Sequence, residues 1–144
     1  MSRILVVDDA DEILSNICTL LGIVGHEVYQ AGNGLEGLQK AREIRPDLIL
    51  SDVMMPVMDG IQMLREIRHD SILKSIPVIF LTAALNPTDS IPASDAIHGK
   101  HHRYTPQSVM HSGANVYLRK PFRTAELLSL IENQLKPNGC PGLR

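Results

Sequence analysis

A chain of 144 residues, 44% of them apolar, suits one domain around a single core. A net charge of −2 and an aromatic content of 3% argue against a basic nucleic-acid footprint and a base-stacking platform, so no direct nucleic-acid binding is expected. Two cysteines, Cys18 and Cys140, are too few for a disulfide framework, and the first apolar run is short and followed by acids, so no leader or membrane span is read there and a reducing cytoplasmic setting is expected.

The first element is "ILVV" (4–7), four apolar and mostly β-branched residues that read as a buried strand. It runs into Asp8 and Asp9. Two adjacent carboxylates at the end of a core strand are costly unless something positive meets them. Ile13, Leu14, Ile17, Leu20, Leu21 and Val24 then repeat at helical spacing. Asp11 and Glu12 suit the first turn of that helix and Gly25 its end. Within it, Cys18 reads as a small core residue. "HEVYQA" (26–31) is a half-polar strand, and "NGLEGLQKAREIRPD" (33–47) is a helix stopped by Pro46. "LILSD" (48–52) is a second buried strand that ends on an acid. "MMPVMDG" is a loop, in which Pro56 and Gly60 are turn residues. Ile61, Leu64 and Ile67 mark a third helix. "PVIFLT" (77–82) and "VYLRK" (116–120) are the remaining strands, and Thr124 is expected to cap a final helix that runs through Leu135.

Short apolar strands that alternate with helices predict an α/β fold. It has a doubly wound, five-stranded parallel sheet in the flavodoxin-like order 2-1-3-4-5, with helices on both faces. In that order the first and third strands are neighbours, roughly 5 Å apart. Asp8, Asp9, Asp52, Thr82 and Lys120 then collect at one edge of the sheet, where open α/β folds bind ligands. Lys120 alone does not balance three carboxylates. A hard divalent cation, Mg²⁺, suits oxygen ligands and a protein cage that leaves room for water and a phosphoryl group.

These segments resemble the receiver domains of bacterial two-component response regulators. The resemblance is carried by "VVDD" (6–9), "DVMMPVMDG" (52–60), "LTA" (81–83) and "GANVYLRKPF" (113–122). It implies that Asp52 accepts a phosphoryl group from a histidine kinase or histidine phosphotransfer protein. It also implies that Asp8, Asp9 and Asp52, with the Met54 backbone carbonyl, hold Mg²⁺. Thr82 and Lys120 would contact the phosphoryl oxygens, and Thr82 and Tyr117 would couple the site to a changing surface. That surface is formed by a candidate helix at 105–112, the strand at 116–120 and the final helix, and it would control an output protein or domain. A cis Lys120–Pro121 bond and a lifetime influenced by Met54 and Ala84 are further implications. Such a protein is a switch and no enzyme beyond its own phosphorylation and dephosphorylation.

A competing class is an enzyme that uses the same sheet edge, either a small aspartyl-type phosphohydrolase or an NAD-binding protein. The second draws on "GNGLEG" (32–37), which matches G-x-G-x-x-G after a strand. That strand is half polar and reads as an edge, and the NAD reading leaves Asp8, Asp9 and Lys120 unexplained. The plainer reading is that these glycines shape a loop and a close helix start.

The domain is read as residues 1–136, with an inserted loop at about 86–104, and 137–144 as a tail or the start of a linker. His98, His101, His102 and His111 lie in or near the insertion. They read as part of a solvated basic loop with Lys100 and Arg103 more readily than as metal ligands, because no cysteine or carboxylate frame accompanies them.

Overall fold

A computed structural model describes residues 2–83, 116–120 and 122–135, with the backbone alone described at 82, 83, 117, 119 and 120. The predicted insertion, the candidate helix at 105–112, the Lys120–Pro121 bond, Ala84 and the histidines at 98–111 all lie outside the described residues. In chain order the elements are β1 (Arg3–Val7), α1 (Asp11–Val24), β2 (Glu27–Ala31), α2 (Gly34–Ile44), β3 (Leu48–Asp52), α3 (Gly60–His69), β4 (Val78–Ala83), β5 (Val116–Lys120) and a last helix, α4 (Thr124–Leu135).

The five strands form one parallel sheet in the order β2-β1-β3-β4-β5, as the alternation predicts. Side chains of a strand point alternately to its two faces, and here both faces are covered. Leu5, Val7, Ile49 and Phe80 point to the side of Leu38, Leu64 and Ile67 from α2 and α3. Ile4, Val6, Leu48, Leu50, Ile79 and Leu81 point to the side of Leu14, Leu21, Leu127 and Ile131 from α1 and α4. This explains why the strands read as near-continuous apolar runs. Cys18 packs, half-buried, against the second cluster, and burial pushes its thiol pKa up, as expected of a small packing residue.

The helix ends follow local chemistry. Gly25 ends α1 with φ 104°, a conformation that favours glycine. Asn33 caps α2 by accepting the Glu36 N–H at 2.8 Å. Arg45 ends it in the left-handed region at φ 48°, its N–H donating to the Ala41 carbonyl at 2.9 Å, and the following Pro46 disfavours a further helical residue. At α4 the expectation is corrected. Helix α4 starts at Thr124, so the preceding Arg123 occupies the cap position. The Arg123 amide donates to Glu126 Oε1 at 3.1 Å, and its carbonyl accepts the first helical bond from Leu127. A glutamate reaching back sets this boundary, in place of a threonine hydroxyl. Strand β4 starts one residue later than predicted. Pro77 has no N–H to give the ladder, although its carbonyl accepts from Ile49 at 3.0 Å. No helix among the described residues is long and apolar enough to cross a membrane.

Candidate functional site

The carboxyl ends of β1 and β3 lie side by side, with Val7 paired to Ser51. The next residues on the two strands are Asp8 and Asp52. Asp8, Asp9 and Asp52 each offer a carboxylate oxygen, and these oxygens lie within 4.8 Å of one another. Among the described residues this is the one cluster of potential metal-ligating side chains of that kind.

The three carboxylates differ in surroundings. Asp8 is buried, with 1% of its surface exposed, Asp52 is half-buried and Asp9 is exposed. Asp8 Oδ1 accepts the Ala10 N–H at 2.9 Å, which turns the chain from β1 into α1. The Asp8 N–H donates to the Ala31 carbonyl at 3.1 Å and ties this corner to β2. Asp52 Oδ1 accepts the Val53 N–H at 2.8 Å, while the Ser51 hydroxyl donates to the Asp52 carbonyl at 2.7 Å. The Asp8 and Asp52 carboxylates are therefore fixed by backbone bonds at the strand ends. Their oxygens form a hard donor set with a buried floor and an open rim, which fits a Mg²⁺ ion that keeps part of its water.

Strand register puts Thr82 and Lys120 on the same edge. Asp52 pairs with Leu81, so Thr82 stands one step further along β4. Thr82 pairs with Arg119 and Ala83 with Lys120, the last residue of β5. Tyr117 pairs with Phe80, three positions back along β5. Met54 is half-buried in the loop after Asp52 and packs on the core beneath α2 and α3.

Three features of the edge were not among the predicted site residues. Asp59 is buried and forms a capping box with Gln62: its Oδ1 accepts the Gln62 N–H at 2.8 Å, and its own N–H donates to Gln62 Oε1 at 3.0 Å. The pattern D-x-x-Q ahead of an apolar helical run is a readable signal for it. Loss of the cap in Asp59→Ala should cost about 1 kcal/mol in a thermal melt, and Asp59→Asn should restore most of it because asparagine keeps the acceptor. Equal stability of the two variants would show that the cap contributes little.

The second feature is Gly60, whose N–H donates to the Val53 carbonyl at 2.7 Å and closes the loop that follows Asp52. The third is the segment 32–37. It lies after the edge strand β2, as read from the sequence, and its glycines serve packing. A Cβ at Gly37 would sit 2.9 Å from Val7 Cγ2 and from Met63 Sδ. A Cβ at Gly34 would overlap the Met58 carbonyl oxygen. These contacts account for two glycines of the dinucleotide-like pattern without a nucleotide.

A doubly wound parallel sheet with an acid cluster at the carboxyl ends of β1 and the central strand β3 defines a flavodoxin-like α/β protein, and such folds bind ligands at that edge. The chain belongs to the response regulator receiver domain family, whose model matches residues 4–99. It is a receiver domain of the two-component type. The DNA-binding dual master transcriptional regulator RpaA of Synechocystis is 34% identical over 136 residues, covering 94% of this chain and 50% of that protein. The DNA-binding response regulator MtrA of Mycobacterium tuberculosis is 35% identical, covering 94% of this chain and 51% of that protein. The chain thus spans about half the length of these curated relatives. Among solved structures, the chemotaxis response regulator CheY4 of Vibrio cholerae is 32% identical with a TM-score of 0.74, covering 94% of this chain and 99% of that one. The receiver domain of sensor histidine kinase PA1611 from Pseudomonas aeruginosa is 28% identical with a TM-score of 0.73, covering 93% of this chain and 97% of that one. That structure has a magnesium ion coordinated in its active-site cleft. These relatives are signalling proteins, and the enzyme alternative finds no support among them.

Proposed function

We propose that Asp52 is the phosphoacceptor of this receiver and that residues 1–136 act as its switching unit. The observation that carries the reading is the convergence of Asp8, Asp9 and Asp52, with carboxylate oxygens within 4.8 Å of one another. An Asp52 carboxylate oxygen attacks the phosphorus of a phosphohistidine, the P–O bond forms, and the P–N bond breaks as the imidazole of the donor leaves. Asp8, Asp9, Asp52 and the Met54 carbonyl are the residues to hold Mg²⁺. When bound, Mg²⁺ supplies positive charge against the phosphoryl oxygens. Lys120 adds a cation and Thr82 a hydroxyl donor at the same edge. Thr82 and Tyr117 then relay the phosphorylated state along β4 and β5 to the surface that an output protein or domain reads. The donor is a histidine kinase or phosphotransfer protein, and the setting is the cytoplasm. The receiver itself contacts proteins and leaves any nucleic-acid binding to an output partner.

Treatment with a small phosphodonor and Mg²⁺, followed by intact mass, tests the reading. One retained phosphoryl group per chain is expected, with none in excess EDTA. Continuous release of phosphate, without a labelled protein, would favour a phosphohydrolase and reject the switch.

A further inference from the structure

The loop that carries Asp52 into α3 is closed at its base by the bond from Gly60 N–H to the Val53 carbonyl, at 2.7 Å. Within it Met55 is buried and Asp59 is held by its capping box. The remaining loop residues are Met54 and 56–58, with Met54 and Met58 half-buried against the core. There the Met58 N–H donates to the Pro56 carbonyl at 2.7 Å, across a Val57 with φ 68°. A hydrogen bond from residue i+2 to residue i around a positive φ is the strained form of the γ-turn. A β-branched residue is among the least suited to it. Val57 is also 66% exposed, so burial of its side chain does not explain the conformation.

A contact from outside the loop does. Gly34, the first residue of α2, donates its N–H to the Met58 carbonyl at 2.8 Å. A Cβ there would overlap that same oxygen and lie 2.9 Å from the Asp59 carbonyl oxygen, so only glycine allows the approach. We infer that Gly34 is a positioning residue for the acid cluster: its amide latches Met58, holds Val57 in the strained turn, and so sets the path of Met54 beside Asp52. The inference rests on the site reading above, in which the Met54 carbonyl is a metal ligand. An unstrained alternative would place Val57 at negative φ and shift 56–58, and Met54 with them, about the buried Met55. The latch selects between the two. By reciprocity, a cation that binds one arrangement strengthens the latch that favours it.

A double-mutant cycle on the full chain tests this, read by calorimetric titration with MgCl₂ and by melting temperature. Gly34→Ala should weaken Mg²⁺ binding by about tenfold, the scale of a typical coupling. Val57→Gly should stay within about twofold of wild type, since glycine takes positive φ without strain. The double variant should regain most of the lost affinity, because Gly at 57 lets the turn shift without dragging Met54. A glycine that merely supports the fold would lower the melting temperature with no such rescue. A folded Gly34→Ala with wild-type Mg²⁺ affinity, or losses that simply add in the double variant, would overturn the inference. Should Gly34→Ala fail to fold, hydrogen exchange of the Gly34 amide in the wild type decides. It should slow on saturation with Mg²⁺, and unchanged exchange would overturn the latch. A wild-type protein that takes up no Mg²⁺ would reject the site reading itself, and that result is visible before any variant is made.

Discussion

Asp52→Asn is expected to abolish phosphoryl incorporation while leaving the fold intact and slightly stabilised in metal-free buffer. The amide has no carboxylate lone pair to attack phosphorus, so labelling measured by intact mass should fall by at least about a hundredfold, the scale of losing the nucleophile itself. The fold should survive because asparagine keeps an oxygen that accepts the Val53 N–H, now made by Asp52 Oδ1 at 2.8 Å. Stability should rise because one of three like charges, with oxygens within 4.8 Å of one another, is removed. Such a pair repels by roughly 1–4 kcal/mol, depending on the local dielectric, and neighbouring groups temper this, so a net gain of about 1 kcal/mol is expected. In Mg²⁺ the order should reverse. A wild-type site filled to a hundred times its dissociation constant gains about 2.7 kcal/mol, and the variant, with one ligand weakened, gains less. Melting curves with and without Mg²⁺ measure both effects. An Asn variant that labels like wild type would remove Asp52 from the role, and one whose melting point tracks wild type at every Mg²⁺ concentration would remove it from the metal cluster.

Much of this site was legible in the sequence because it is written in strand ends. A strand buried on both faces is mostly apolar, so the charges of Asp8 and Asp52 stand out where "ILVV" and "LILSD" finish. The parallel order then brings them together without any contact having to be guessed. The predicted bounds of β3 and β5 match the observed ones for the same reason: an acid or a lysine ends each run. Boundary errors of one to three residues fell where a proline or a local bond outweighed propensity, as at α2, read to 47 and ended at Ile44 ahead of Pro46. At α4 it was Glu126 reaching back to the Arg123 amide, and at β4 it was the missing N–H of Pro77.

What the sequence did not show is how closely separate elements approach. Nothing in "NGLEG" says that the amide of Gly34 meets the carbonyl of Met58, 24 positions away. Nothing in "MPVMD" says that the valine takes a positive φ, since that residue type argues against it. The glycines of 32–37 look like a phosphate loop because both uses need the same property, the absence of a Cβ where other atoms come close. Only tertiary packing distinguishes a backbone approaching a ligand from one approaching another backbone.

Gly60→Ala is the substitution expected to damage fold and site together. Gly60 opens α3, where alanine would ordinarily gain about 1 kcal/mol of helix propensity. Here its Cβ would overlap the Asp52 carbonyl oxygen and lie 3.0 Å from Phe80 Cε1 and 3.1 Å from Val53 Cα. Two of these neighbours are backbone of the strand end that carries Asp52, the proposed phosphoacceptor, and Phe80 is fully buried, so no flexible tip can yield. Overpacking of this kind costs about 1–3 kcal/mol, often more where backbone must move, which outweighs the propensity gain. A net loss of about 2 kcal/mol should lower the melting temperature by roughly 5–10 °C in a chain of this size. The strain enters at Asp52, so phosphorylation at temperatures where the variant is folded should also slow, by about a hundredfold if the carboxylate moves by an ångström. Gly37→Ala is the comparison. Its Cβ would press on side-chain atoms of Val7 and Met63, and the Met63 thioether can adjust, so its stability cost should be smaller and its phosphorylation rate close to wild type. If Gly60→Ala melts lower but is phosphorylated at the wild-type rate, the backbone at Asp52 has absorbed the methyl group elsewhere, and the close approach of α3 to β3 does not set the geometry of the acceptor.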